Sequence, residues 1–130
     1  MITCDTHVLL HWALTPDRLS AAANQVFEEK RAAGKIACAD IVLWEITMLI
    51  AKGRIVIPQS TALFLDDLLL ATRLTVLPIL PEIAILSQSS IFLHGDPADR
   101  LLAATALHHK LPLISADRNF QQVVGLKVIW

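Results

Sequence analysis

Short apolar runs alternate with helical segments along the whole chain, and this alternation most limits the folds open to it. Alternation of this kind is typical of a parallel sheet with helices on both faces. We therefore predict an α/β protein, a three-layer α/β/α sandwich with a mostly parallel central sheet, formed by one domain over residues 1–130. The runs interpreted as strands are MITC, KIACA, TVLPIL, LPLISA and LKVIW.

Residues that favour helix ends mark the segments between these runs. Asp40, Ser60 and Asp96 are N-cap candidates, while Gly34 and Gly53 fit just past a C-terminus. Prolines fit the first position of the last two long helices. The predicted helices are THVLLHWAL, DRLSAAANQVFEEKRAAG, DIVLWEITMLIAKG, STALFLDDLLLATRL, PEIAILSQSSIF and GDPADRLLAATALHHK.

The composition is unusually apolar, with 55% hydrophobic and 18% charged residues. Two segments, THVLLHWAL and TALFLDDLLLATRLTVLPIL, carry more apolar side chains than one helical face needs. We therefore predict a homodimer, with part of the apolar surplus at its interface. Eleven Lys and Arg against twelve Asp and Glu give a net charge of −1. No global basic field for non-specific nucleic-acid binding is implied.

Two features bear on the location of the protein. Cys4 and Cys38 are far apart and form no CxxC motif, which is typical of a reduced, cytoplasmic protein. The N-terminus has no basic region and places Asp5 where a signal peptide needs apolar residues. No uncharged apolar run reaches the roughly 18 residues that a membrane span needs. We predict a cytoplasmic protein without a membrane anchor.

Glu45 lies in the middle of the apolar segment DIVLWEITMLIAKG. Its neighbours one helical turn away, Val42 and Leu49 among them, are apolar. Taking an unpaired carboxylate out of water costs several kcal/mol, so Glu45 needs a partner or partial exposure at the edge of a groove. Lys52 is two turns away, about 10 Å along a helix, which is far for a direct pair.

Other acids occupy the ends of predicted elements. Asp5 follows the first strand and Asp117 follows LPLISA, so both are expected at the same edge of a parallel sheet. Asp96 and Asp99 open a helix. Each acid taken alone also fits helix or turn capping. Taken together with Glu45 they would repel one another, and a divalent cation removes that cost.

Carboxylate oxygens suit Mg²⁺ or Mn²⁺ rather than zinc, which prefers His and Cys. A metal cluster of this kind activates water and stabilises displacement at phosphate. The residues therefore predict phosphodiester hydrolysis.

The segments MITCDTHVLLHW, ADIVLWEI and HGDPADRLLAATALHHKLPLISADRNF resemble, in order and spacing, the motifs of PIN-domain ribonucleases of the VapC toxin type. The resemblance covers nearly the whole chain. It implies a parallel α/β/α sandwich, Mg²⁺- or Mn²⁺-dependent endoribonuclease activity on RNA, and a cytoplasmic toxin of a toxin–antitoxin pair. It also implies a homodimer that a VapB-type antitoxin inhibits.

Residue by residue, this resemblance assigns catalysis and metal binding to four acids and supporting roles to their neighbours. Thr6 and Ser115 match positions where the family often has hydroxyls near the metal. Asp96 is an extra acid, interpreted first as a helix cap and second as a ligand through water. Arg100 and Arg118 would grip substrate phosphate or, as we favour, pair locally with carboxylates. The predicted catalytic and metal-binding residues are Asp5, Glu45, Asp99 and Asp117.

Other classes of protein fit less well. A receiver-type phosphoacceptor domain needs an acidic pair at the first strand and a lysine after a late strand, and a dehalogenase-type phosphatase needs Asp-x-Asp; neither pattern is present. A non-catalytic module with this fold and a nuclease acting on DNA stay open. His7 and His11, one turn apart, are interpreted as partly buried polar residues or as a partner face.

Overall fold

The computed structural model describes residues 1–92 and 95–130. In these residues five strands form one sheet in the order β3-β2-β1-β4-β5, and every neighbouring pair is parallel. The predicted parallel sheet is confirmed, and each of the five predicted runs contributes a strand. The strands are β1 Ile2–Cys4, β2 Ile36–Ala39, β3 Thr75–Leu77, β4 Leu113–Ile114 and β5 Val128–Ile129.

Helices connect the strands and cover both faces of the sheet. β1 and β2 are buried along their whole length, as expected for strands covered on both sides. The predicted three-layer sandwich is therefore confirmed. No helix within the described residues has the length and apolar character needed to cross a membrane. The helices are α1 Thr6–Leu14, α2 Ala21–Ala32, α3 Ile41–Ala51, α4 Thr61–Thr72, α5 Pro81–Leu86, α6 Pro97–His108 and α7 Arg118–Gln121.

Strand order places a crevice at the centre of the sheet. The chain adds β2 and then β3 on one side of β1, and crosses to the other side for β4 and β5. Connections therefore leave β1 and β4 in opposite directions. In open α/β sheets this reversal opens a crevice at the carboxyl ends of the two strands, where ligands bind.

Two helices begin or end away from their predicted bounds. α2 begins at Ala21 rather than at Asp17, because the Ser20 side chain caps it by accepting a hydrogen bond from the Ala23 N–H at 3.0 Å. Pro16–Arg18 forms a separate 3-10 turn. α5 ends at Leu86, well short of the predicted residue 92. Its serines turn back on the backbone instead, as when the Ser87 hydroxyl donates to the Ala84 carbonyl at 2.7 Å.

Asp40 occupies the predicted N-cap position of α3 but does not cap the helix with its side chain. Its Oδ2 accepts a hydrogen bond from the Ile79 N–H at 3.1 Å, which ties the start of α3 to the loop after β3. The other end of α3 is as predicted. Gly53 follows the helix with φ of +69°, a conformation that glycine adopts without steric cost.

Apolar side chains of α1 and α4 have different fates. In α1, Val8, Leu9 and Leu10 are buried inside the monomer, while Leu14 is half-buried. In α4, Leu63 and Leu70 are 56% and 79% exposed. Since these two residues are seven apart, they lie on one face of the helix.

Candidate active site

A cavity of about 220 Å³ opens at the switch point of the sheet, and five carboxylates line it. It contains all four acids predicted to be catalytic, together with Asp96. The acids come from β1, α3, the start of α6 and the end of β4, so the fold brings together residues that are far apart in sequence. The lining residues are Asp5, Thr6, His7, Glu45, Asp96, Asp99, Leu102, Asp117 and Phe120.

Asp5 both caps a helix and faces the cavity, as its position at the end of the first strand suggested. It caps α1 by accepting a hydrogen bond from the Val8 N–H at 2.9 Å, and it faces the cavity while only 6% exposed. The Ser115 hydroxyl donates to its second oxygen. Burial raises the pKa of Asp5, while the hydrogen bonds from Ser115 and Val8 oppose that rise.

Ser115 joins the acids of two strands. Its hydroxyl is fully buried, donates to Asp5 and accepts the backbone N–H of Asp117 at 3.0 Å. Asp117 in turn caps α7 by accepting from the Asn119 N–H at 2.9 Å. One hydroxyl therefore fixes the relative positions of the residues that follow β1 and β4.

Glu45 is half-buried at the wall of the cavity and accepts a hydrogen bond from the Thr6 hydroxyl. Thr6 is itself 1% exposed, so this donor is held away from solvent. The carboxylate is thus compensated by a hydroxyl from the start of α1 and by partial contact with the cavity. Both predicted hydroxyls, Thr6 and Ser115, bind a predicted catalytic acid.

Asp96 and Asp99 form the third side of the cavity, at the start of α6. Asp96 caps the helix by accepting from the N–H groups of Ala98 at 2.9 Å and Asp99 at 3.4 Å. Burial, followed in order by the negative charges of Asp96, Asp117, Glu45 and Asp5, raises the pKa of Asp99 to about 7. The acids therefore repel one another across the cavity, as the sequence predicted.

Arginines are absent from the described lining of this cavity. Arg100 is half-buried, and its Nη1 donates to the Ser87 carbonyl at 3.5 Å. Arg118 is exposed, and within residues 1–92 and 95–130 it forms no ion pair. The local carboxylate pairing favoured for Arg118 is therefore not formed.

The two histidines of α1 differ in exposure. His11 is half-buried, as one of the two predicted alternatives has it, whereas His7 is exposed at the cavity, and their ring centroids are 6.3 Å apart. Sequence reasoning missed Trp130, which follows β5. The Ser115 N–H donates to the Ile129 carbonyl at 3.1 Å, so Trp130 lies at the sheet edge that carries Asp117. The rule that located Asp5 and Asp117, the residue after a parallel strand, also applies to LKVIW.

The acids of the cavity do not form a ready-made cation site. In the described part of the chain, no three His, Cys, Asp or Glu side chains form a group that could hold a metal ion as they stand. Both oxygens of Asp5 and one of Glu45 accept hydrogen bonds from the protein. The predicted ligand set therefore shares one cavity but remains a prediction.

Fold and cavity together define a parallel α/β protein with an acidic site at the sheet's switch point. The sequence profile of the PIN domain matches residues 2–126. The chain is also 34% identical over 122 residues to Ribonuclease VapC22 of Mycobacterium tuberculosis (strain ATCC 25618 / H37Rv), covering 92% of this chain and 89% of that protein. The chain belongs to the PIN-domain family.

Solved structures share this fold. VapBC2 from Rickettsia felis, bound to a DNA fragment from its promoter, matches with a TM-score of 0.71 and 18% identity, over 98% of this chain and 97% of that chain. DNA-bound VapBC from Salmonella typhimurium matches with a TM-score of 0.68 and 17% identity, over 98% and 97%. At these identities the likeness concerns the fold.

Proposed function

We propose that this protein is an endoribonuclease that hydrolyses RNA phosphodiester bonds with the help of a divalent metal ion. The observation that carries the proposal is the convergence of acids from four elements on one cavity of about 220 Å³. Without a neutralising cation, the negative charges of these acids repel the negatively charged phosphodiester as well as one another. The cavity therefore suits RNA cleavage only with a cation present. The proposed catalytic residues are Asp5, Glu45, Asp99 and Asp117.

The same four acids are the proposed ligands of Mg²⁺ or Mn²⁺. Their oxygens match the preference of these ions, and Mg²⁺ usually keeps several waters, which fits carboxylates that share a cavity without closing on one point. Such an ion, when bound, supplies an activated water and stabilises charge at the reacting phosphate. Asp96, already a helix cap, is proposed as a ligand through water.

The remaining polar residues position the acids. The Thr6 hydroxyl donates a hydrogen bond to Glu45, and the Ser115 hydroxyl donates one to Asp5. These hydrogen bonds fix the rotamer of each carboxylate, and their protons stay on the hydroxyls. Asp99, with a pKa of about 7, would bind a cation in its deprotonated form, so cation binding would be coupled to loss of its proton. Arg100 and Arg118 lie close in sequence to Asp99 and Asp117 but outside the cavity lining, so we assign neither of them the role of direct phosphate ligand.

We further propose that the protein is the toxin of a cytoplasmic toxin–antitoxin pair and forms a homodimer. The toxin assignment is supported by the likeness to Ribonuclease VapC22 and by solved neighbours described as VapBC, FitAB and toxin–antitoxin complexes. The homodimer is supported by the exposed Leu63 and Leu70 on one face of α4. An antitoxin segment of apolar character fits a groove of about 620 Å³ beside α1, where Leu14, Leu49 and the 88% exposed Val56 lie.

A cleavage assay tests the proposed function. Purified protein is mixed with a labelled single-stranded RNA in Mn²⁺ or in EDTA, beside DNA of the same sequence. We expect cleavage of RNA in Mn²⁺, none in EDTA, and at least a hundredfold slower cleavage by Asp99→Asn. Asp17→Asn, at an exposed position outside the cavity, is the matched control and should cleave like the parent. Cleavage that persists in EDTA, or at full rate in Asp99→Asn, would contradict the proposal.

A further inference from the structure

A second cavity, of about 250 Å³, adjoins the acidic one. Asp5, His7 and Asp117 line both cavities, so the two share a wall. The second cavity is lined by three ring-bearing side chains, His7, His11 and Trp130, of which the last two are absent from the lining of the first. We call it the aromatic recess and define it by these three residues.

The position of the aromatic recess follows from the sheet. Trp130 extends from β5, which pairs with β4 in parallel through Ile114 and Ile129. His7 and His11 are one turn apart on α1, which begins directly after β1. Trp130 is 38% exposed and His7 is exposed, so ring surface is open to a ligand beside the acids.

We propose that the aromatic recess binds one unpaired nucleobase of the RNA, next to the bond that is cleaved. The inference rests on the proposed function and names a substrate subsite for it. Every base offers a flat face that stacks on an aromatic side chain, whatever its sequence. A neutral base also tolerates the neighbouring carboxylates, which repel phosphate. A cavity of this volume has room for a single base.

The geometry also limits the form of the substrate. A base that enters the aromatic recess must leave its stack, which costs little in a single strand and more in a duplex. With its base held there, a nucleotide places its own phosphate towards the shared wall of Asp5 and Asp117. We therefore expect cleavage of single-stranded RNA to exceed cleavage of the same sequence in a duplex.

The test uses a short RNA whose cleaved bond has been mapped with the parent protein. Each nucleotide flanking that bond is replaced in turn by an abasic one, and kcat/KM is measured. Loss of one stacked base is expected to lower kcat/KM between about five- and a hundredfold, at one position only. Trp130→Ala should lower kcat/KM on intact RNA by a similar factor and on that abasic RNA by nothing further. Trp130→Phe, which keeps a ring, should restore most of the loss.

His108→Ala is the matched control, because His108 carries an exposed ring at the end of α6 and lines neither the acidic cavity nor the aromatic recess. It should leave kcat/KM unchanged. If Trp130→Ala does not fold, the abasic series on the parent still decides the matter. The inference would be overturned if the parent cleaved every abasic RNA as fast as the intact RNA, or if it cleaved duplex and single-stranded RNA equally fast. If the parent does not cleave RNA, or if Asp99→Asn cleaves it at the parental rate, the proposed function on which this inference rests is refuted instead.

Discussion

Helices α3 and α4 have similar lengths, 11 and 12 residues, and similar apolar sequences interrupted by acids near the middle. In α3 the interrupting residue is Glu45, which is half-buried, binds Thr6 and faces the acidic cavity. In α4 the corresponding residues are Asp66 and Asp67, and both are exposed. An acid within an apolar helix is therefore not by itself evidence of a site.

The two helices differ in which of their faces the rest of the chain covers. α3 packs against α1 and α6, so its acid meets the Thr6 hydroxyl and the Asp99 carboxylate from neighbouring elements. α4 buries Phe64 and Leu68 and leaves Leu70 79% exposed. Position in the sheet topology, and not local composition, separates an acid that faces the cavity from a surface acid.

The strongest test of this contrast exchanges one acid in each helix for its amide. Glu45→Gln keeps the shape of the side chain and can still accept the hydrogen bond from Thr6, but removes one charge from the cavity. We expect its RNA cleavage rate to fall at least a hundredfold, whereas Asp66→Asn cleaves at the parental rate. Initial rates in Mn²⁺ measure both. Parental cleavage by Glu45→Gln would place Glu45 outside the catalytic group.

A second test concerns the apolar face of α4. If Leu70 lies in the proposed dimer interface, Leu70→Glu removes about 2 kcal/mol of apolar burial and adds an unpaired buried charge that costs several kcal/mol more. The dimer should weaken more than a hundredfold. Light scattering at tens of micromolar should then give a monomer. Val124→Glu, at a position 76% exposed outside α4, serves as the control and should stay dimeric. A monomeric parent would refute the interface.

Metal binding should stabilise the folded protein through Glu45 of α3, and the exposed acids of α4 should contribute nothing to this gain. Free metal at about 100 times its dissociation constant adds about 2.7 kcal/mol to the free energy of unfolding. Thermal melting in Mn²⁺ and in EDTA measures the gain. Glu45→Gln should melt at or above the parent temperature in EDTA, because it relieves repulsion on Asp99, and should gain less from Mn²⁺. Asp66→Asn should gain as much as the parent. Identical melting of the parent in both buffers would remove the case for a metal site.

The smallest expected effect isolates the hydrogen bond to Glu45. Thr6→Val keeps the side-chain shape but deletes the hydroxyl that donates to this carboxylate. Loss of a donor to a charged acceptor costs about 1.5–3 kcal/mol when buried, and less here because Glu45 is half-buried, so we expect about 1 kcal/mol. Urea unfolding in EDTA provides the measurement. Thr47→Val, exposed on α3, should change stability by under about 0.5 kcal/mol. Equal stabilities for Thr6→Val and the parent would show that this bond contributes nothing.

Much of the architecture was predictable because its signals are local. The five strands, the Ser60 and Asp96 caps and the Gly53 helix stop depend on residues a few positions apart, and the alternation of strands with helices predicts the parallel sheet. The convergence of Asp5, Asp99 and Asp117 on one cavity was predictable from the ends of strands and the start of a helix, whereas Glu45 was singled out by its apolar neighbours in the middle of α3. The bounds of α2 and α5 were not, because Ser20 caps α2 so that it begins four residues after the predicted start, and because the Ser87 side chain binds the backbone where α5 ends.

The sequence by itself determined the order of strands and helices and the kinds of residue placed at the carboxyl edge of the sheet, because periodicity and capping act within one or two turns of chain. Tertiary structure alone decided which side chains meet there. Thr6 reaches Glu45 across 39 positions and Ser115 reaches Asp5 across 110, and Trp130 arrives beside them through the pairing of β5 with β4. Contacts over such separations depend on how the strands pair in the sheet, so no local pattern specifies them.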